Sequence, residues 1–182
     1  MKKLILILTL ACGLMTVQAQ NANLRKSVED GIKTSIQHTE KREWKEAFAT
    51  CRALDGMINL EEKKTRKPAP ELHYLVSKER LRMYMRLLNK QKECKDQLTR
   101  MEAWAEKAQS DELFEDLLMS KAGYYQKFDM NDKSLQCYKE LVQRRSKGKS
   151  EQEVEKCYQD MMSQSATSQN ATLTNALEKL YI

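Results

Sequence analysis

The sequence predicts an all-α protein built from antiparallel helical hairpins stacked side by side, about eight helices in all. Three observations carry that expectation. Apolar residues recur at spacings of three and four along nearly the whole chain, the period of one helix face. Chain breakers are scarce: the prolines are Pro68 and Pro70, and beyond residue 19 the glycines are Gly31, Gly56, Gly123 and Gly148. No Asn-Gly or Asp-Gly turn separates two segments of alternating hydrophobicity, as a β-hairpin would require.

Ahead of the helices, Lys2 and Lys3 precede an apolar run from Leu4 to Met15, and small residues follow around Val17-Gln18-Ala19. That order is the pattern of a secretory signal peptide. The run falls short of the ~20 residues that cross a bilayer, so cleavage after Ala19 is expected and not retention as an anchor. The competing arrangement is a lipid on Cys12, but Thr9-Leu10-Ala11 lacks the leucine that lipoprotein signals carry at the first of those places. Loss of Lys2 and Lys3 lowers the net charge from +6 to +4, a mild excess interspersed with acids that reads as a solvated surface. Export to the periplasm or cell envelope of a bacterium is the expected location, which removes nucleic acid as a partner. Residues 20–165 are expected to form the helical domain and 166–182 a terminal helix.

The first helix is expected over about 22–39, with Leu24, Val28, Ile32 and Ile36 on one stripe. The second, about 42–58, carries Trp44, Ala47, Phe48, Cys51, Leu54 and Ile58. Charge and proline predict a loop from Glu61 to Ala69. Pro70, whose ring holds φ near the helical value, then opens a third helix to about Leu88. Its apolar residues, among them Leu72, Val76, Leu81, Met83 and Tyr84, fall on more than one face, which marks an inner helix with neighbours on two sides. The fourth helix, about 91–108, has the narrowest stripe: Cys94, Leu98, Met101, Ala105 and Ala108. Ser110 and Asp111 are candidate caps for a fifth, with Phe114, Leu117, Leu118, Ala122, Tyr125 and Phe128 inward. Asn131 is the candidate cap of a sixth carrying Leu135, Tyr138, Leu141 and Val142. The basic run Arg144 to Lys149 ends it. Ser150 and Glu153 have capping-box spacing before a seventh helix with Val154, Cys157, Tyr158 and Met161. Leu173, Leu177, Leu180 and Tyr181 stripe an eighth, a possible cap or the start of a coiled coil.

Leu118 to Val142 resembles a tetratricopeptide (TPR) repeat. Leu118, Ala122 and Tyr125 match the large, small and aromatic positions of that family's first helix. Ser134, Tyr138 and Leu141 match the second, with serine where alanine is usual. Trp44, Ala47, Cys51 and Leu54 hold the corresponding places of an earlier copy, and Cys94, Leu98 and Met101 those of a middle one. The small positions Ala47, Cys94 and Ser134 lie 47 and 40 residues apart by their numbers, longer than the family's ~34-residue period, so the copies are degenerate. The resemblance implies an α-solenoid whose first helices line a groove for peptides or partner helices. It makes Glu79, Arg86 and Gln126 expected solvent-facing groove contacts. The chain also resembles the N-terminal extracytoplasmic region of bacterial envelope sensors, in which such a domain precedes a coiled coil and a membrane helix.

No catalytic set is evident. There is no G-x-S-x-G, no cysteine has a histidine nearby, and His38 and His73 lack ligands at metal-site spacing, so no enzyme activity, metal or cofactor is expected. Cys51, Cys94 and Cys157 fall on apolar stripes and read as buried thiols; a disulfide between Cys137 and Cys157 is the competing arrangement. Glu61-Glu62 and Glu115-Asp116 read as solvated carboxylates, and Lys63 to Lys67 as a wet loop. Gly123, inside a helix, marks close packing or groove access. The expected function is an extracytoplasmic scaffold or ligand-sensing region binding a protein or peptide. Its alternatives are an envelope accessory protein for glycan or peptide uptake, with Trp104 as a sugar contact, and a structural oligomer joined through the terminal helix. Membrane attachment is expected only through a downstream segment or through Cys12.

Overall fold

The computed structural model describes residues 22–148 and positions 150, 152, 153, 155, 156 and 159. Over residues 22–148 the chain forms six helices: α1 (22–40), α2 (Trp44–Thr65), α3 (Pro70–Arg86), α4 (Gln91–Ala108), α5 (Asp111–Lys127) and α6 (Asn131–Ser146). They pack as sequential antiparallel pairs; these six correspond to the first six of the eight helices the sequence predicts, and the count of eight is not supported. The expected eighth helix and most of the seventh lie outside the described residues. At the seventh's start the Glu153 carboxylate accepts from the Ser150 backbone N–H at 2.9 Å and from its hydroxyl at 2.8 Å, the carboxylate half of a capping box.

Two compact units divide between Met83 and Tyr84, within α3. In the first, Val28 of α1, Ala47, Cys51, Leu54 and Ile58 of α2, and Leu72, Val76 and Met83 of α3 form one buried cluster. The α2 stripe is the one its spacing predicts. The inner face of α1 is more polar than expected, because Ser35 and Thr39 are buried where Ile32 and Ile36 are only half-buried. α3 buries residues around most of its circumference, including His73, Ser77 and Glu79, in line with an inner helix. In the second unit, Leu118 and Ala122 of α5 meet Cys137, Tyr138, Leu141 and Val142 of α6, with Met119, Tyr125 and Leu135 at the edge. α4 buries Cys94, Gln97, Leu98, Met101 and Ala105.

Two boundaries depart from the sequence reading. α2 runs to Thr65, so Glu61 to Lys64 are helical and not loop. Glu and Lys are good helix formers, and a charged final turn needs no apolar stripe to persist. The Glu62 carboxylate then accepts the Ala69 N–H at 2.6 Å and shapes the short connection to Pro70. Asn131 is the first residue of α6, whose capping position is Met130 and carries no side-chain cap. Ser110 does cap α5, accepting the Leu113 N–H at 3.3 Å.

Each of the five connections contains one non-glycine residue in the left-handed region: Arg42, Arg66, Asn89, Gln109 and Asp129, with φ between 51° and 62°. Helices commonly stop at such a residue, because it turns the next N–H groups back onto orphan carbonyls of the last turn. After α1 the Glu43 N–H donates to the His38 carbonyl at 2.8 Å, and after α5 the Met130 N–H donates to Tyr125 at 2.8 Å. No described helix is long and apolar enough to cross a membrane.

Close packing is found at Gly31, which the sequence did not single out, and not at Gly123. A Cβ on Gly31 would lie 2.6 Å from Leu54 Cδ2, whereas one on Gly123 would meet nothing within 4 Å. Gly123→Ala is therefore expected to raise stability by about 0.5–1 kcal/mol through helix propensity alone. Gly31→Ala will forfeit that gain to overpacking, and urea midpoints of the two variants provide the comparison. Ser134 is fully buried and its hydroxyl has no hydrogen-bond partner among the described residues. Ser134→Ala should raise stability by about 1 kcal/mol, read from the same denaturation curves.

Candidate functional site

An open cavity of about 590 Å³ lies in the second unit. One stripe of α4 forms a wall with Gln91, Lys92, Lys95, Leu98, Thr99 and Glu102. Residues one helical turn apart share a face, which brings 92, 95, 99 and 102 into one row beside the buried row of 94, 98, 101 and 105. α5 supplies Lys121, Tyr124 and Tyr125, and Met130 and Lys133 close the site where the chain turns into α6. The volume falls within the range of ordinary ligand pockets.

The walls are held in place by side-chain contacts. Lys121 Nζ reaches Glu102 Oε1 at 2.7 Å and ties α5 to α4. Tyr124 is buried; its ring lies edge-on to Tyr125 with centroids 5.3 Å apart and is tilted against Phe128 at 5.0 Å. Burial pushes the Tyr124 phenol up, partly offset by its hydrogen bond with Gln91. Lys133 Nζ stands 5.7 Å from the Tyr125 centroid, within cation–π range. Lys92 pairs with Asp96 at 3.2 Å on the exposed surface, and Lys95 makes no ion pair among the described residues. Of the charged lining residues, then, four are ammonium groups and one is a carboxylate already engaged by Lys121. The lining therefore carries a positive excess beside its apolar residues.

The expected groove contacts do not gather here. Glu79 is not solvent-facing: it is buried at 4% exposure in the first unit, where Ser35 Oγ donates to it at 2.9 Å and Arg82 contacts both its oxygens at 2.7 and 2.8 Å. A buried carboxylate needs such a full set of donors. Arg86 is exposed at the end of α3, and Gln126 is half-buried, its amide donating to the Tyr138 hydroxyl at 3.3 Å; neither lines the cavity. The cavity uses α4, a second helix of its pair, where the resemblance assigned the groove to first helices. A row of polar residues beside a core stripe was visible in α4, but nothing in the sequence said that the row faces α5.

The repeat-packing positions are buried to different depths. Ala47, Cys51, Ala122 and Ser134 are fully buried, Leu118 and Tyr138 nearly so, and Trp44 and Tyr125 half-buried. Trp104 is half-buried, with Lys107 Nζ 4.4 Å from its ring centroid.

Several titratable groups outside the cavity have structural partners. His73 is buried, with Nε2 3.3 Å from Glu62 and Nδ1 4.0 Å from Asp55, and Arg80 donates to the Cys51 carbonyl at 3.1 Å while pairing with Asp55. His38 Nδ1 lies 2.6 Å from Glu43. Glu115, read as solvated, pairs with Arg145 at 2.9 Å between α5 and α6. Among the described residues no group of three or more His, Cys, Asp or Glu is placed to hold a metal ion. Cys51, Cys94 and Cys137 are free and buried; Cys157 lies outside the described residues.

No protein-family model, curated protein or solved structure matches the chain. The fold class is therefore defined by the helices and their packing alone: an all-α protein of sequential antiparallel pairs.

Burial pushes the Cys51 and Cys94 thiols up to about 11 from an ordinary 9.0, and raises Cys137 as well. In the unfolded chain these thiols ionise first as pH rises, so the unfolded state gains and stability is lost between about pH 9 and 11. Urea midpoints should fall across that window, less steeply in a Cys51→Ala/Cys94→Ala double variant. At neutral pH iodoacetamide should modify none of the three until urea unfolds the chain, as read by peptide mass spectrometry.

Proposed function

We propose that this protein is an interaction scaffold or ligand-sensing region whose cavity between α4, α5 and the start of α6 takes a peptide segment of a partner protein. The observation that carries the reading is that cavity: an open site lined by Leu98, Tyr124, Tyr125 and Met130 together with four lysines. Tyrosine and methionine are suited to it, the first as a rigid amphipathic contact and the second as an adaptable one. TPR-like repeats are the finer description we favour for the helical pairs, supported by the burial of Ala47, Cys94 and Ser134 at the small positions and of Leu118, Ala122 and Tyr138 beside them. Export, with cleavage after Ala19, is proposed from the order of Lys2, Lys3, the apolar run and Ala19.

A glycan-binding role for Trp104 is less favoured, because the Lys107 ammonium already stands over its ring. Against peptide binding, that contact has no bearing.

The test is photo-crosslinking in intact cells, with p-benzoylphenylalanine in place of Lys95 or of Gln136, an exposed α6 residue that does not line the cavity. A discrete protein adduct is expected from position 95 and not from 136, on a chain whose first residue is Gln20. Adducts of equal yield from both positions, or from neither, would count against the reading.

A further inference from the structure

We infer that the cavity's ligand is an acidic peptide, with carboxylate side chains interspersed with apolar ones; this rests on the peptide reading above. Lys121 is occupied by Glu102 at 2.7 Å, which removes one positive and one negative charge from the lining. What remains is Lys92, Lys95 and Lys133, with no carboxylate among the other lining residues. The Lys92–Asp96 pair is no substitute ligand, because both side chains are exposed, at 86% and 53%, and such pairs are weak. Among the described residues Lys95 has no ion pair, and the side chain of Lys133 has only the Tyr125 ring at 5.7 Å. Like charges gathered on a concave wall raise the local potential and draw in the opposite sign.

The placement of charge against apolar surface favours a peptide over other anions. Lys92 and Lys95 stand one helical turn apart on α4, and Lys133 stands at the start of α6, with Leu98, Tyr124, Tyr125 and Met130 also lining the cavity. An extended peptide turns alternate side chains to opposite sides, so acidic residues can meet the lysines while their neighbours cover the apolar lining residues. A nucleic acid offers evenly spaced phosphates and would want a continuous basic track. A bilayer presents a flat anionic surface, which a concave wall engages poorly.

Fluorescence anisotropy of the purified protein with three labelled hexapeptides tests the inference: alternating Glu and Leu, alternating Gln and Leu, and alternating Lys and Leu. The Glu peptide should bind at least about tenfold more tightly than the Gln peptide, with the Lys peptide weakest, and its affinity should fall several-fold as sodium chloride rises through the physiological range. A Lys95→Glu/Lys133→Glu variant should lose about tenfold in affinity for the Glu peptide with an unchanged melting temperature. Lys139→Glu, which alters an exposed α6 charge away from the cavity, should lose little. Equal binding of the Glu and Gln peptides, or equal losses in the cavity and control variants, overturns the acidic-ligand inference and leaves the peptide reading standing. Displacement of the Glu peptide by phosphatidylserine vesicles or a single-stranded oligonucleotide at matched charge overturns it in favour of a general anion surface. Failure of all three peptides to bind overturns both.

Discussion

The structure depends on side chains small enough to let one helix backbone lie close to the next. Ala47 and Cys51 on α2, Cys94 and Ala105 on α4, Ala122 on α5 and Ser134 on α6 are all completely buried, and Gly31 on α1 sits directly against Leu54. Larger residues beside these points, such as Ile58 and Met83 in one unit and Leu118 and Tyr138 in the other, fill the space that closeness leaves. Packing of ridges into grooves rewards that alternation of small and large, and loses contact wherever it is interrupted. The buried thiols belong to the same constraint: a cysteine is nearly as compact as alanine, and its removal from water matters more than its reactivity.

The cavity grows out of the same packing. α4 gives its narrow apolar stripe to the core, so the adjoining row of lysine, threonine and glutamate is left to border open space. α5 gives Leu118 and Ala122 to its contact with α6, while Tyr124 and Tyr125 line the cavity. The Lys121–Glu102 bridge ties the two walls together, and a site on helix surfaces braced in this way is more fixed in shape than one built on loops.

Much of the fold was legible because helical periodicity is a local property. The stripes of α2, α4 and α6 name most of their buried residues correctly, and Pro70 and Ser110 mark helix starts as their chemistry requires. What was not legible depends on partners far away in sequence. Glu79 looks like any surface glutamate until Ser35, 44 positions earlier, is seen to donate to it. The extra turns of α2 were hidden because a charged helix end and a charged loop have the same composition; the helix shows itself in backbone hydrogen bonds that continue to the Arg66 N–H on the Glu62 carbonyl at 2.7 Å. Gly31 and Gly123 were indistinguishable as letters, since the difference lies in whether Leu54 or open space stands opposite. The cavity was not legible for a related reason: the repeat resemblance places a groove on first helices, and a helix stripe does not say which neighbour it will face.

The five left-handed residues at the corners have a consequence for how this chain could be remodelled. L-amino acids other than glycine sit there at a cost of about 1 kcal/mol each, least for asparagine and aspartate, whose short polar side chains tolerate the conformation. Arg42, Arg66 and Gln109 have no such excuse, and their side chains take no part in either buried cluster. The bends are thus the least-optimised joints of a stack whose rods are already well fitted, and a designer wanting a hardier version could leave both interior and cavity wall untouched and begin at the corners between helices.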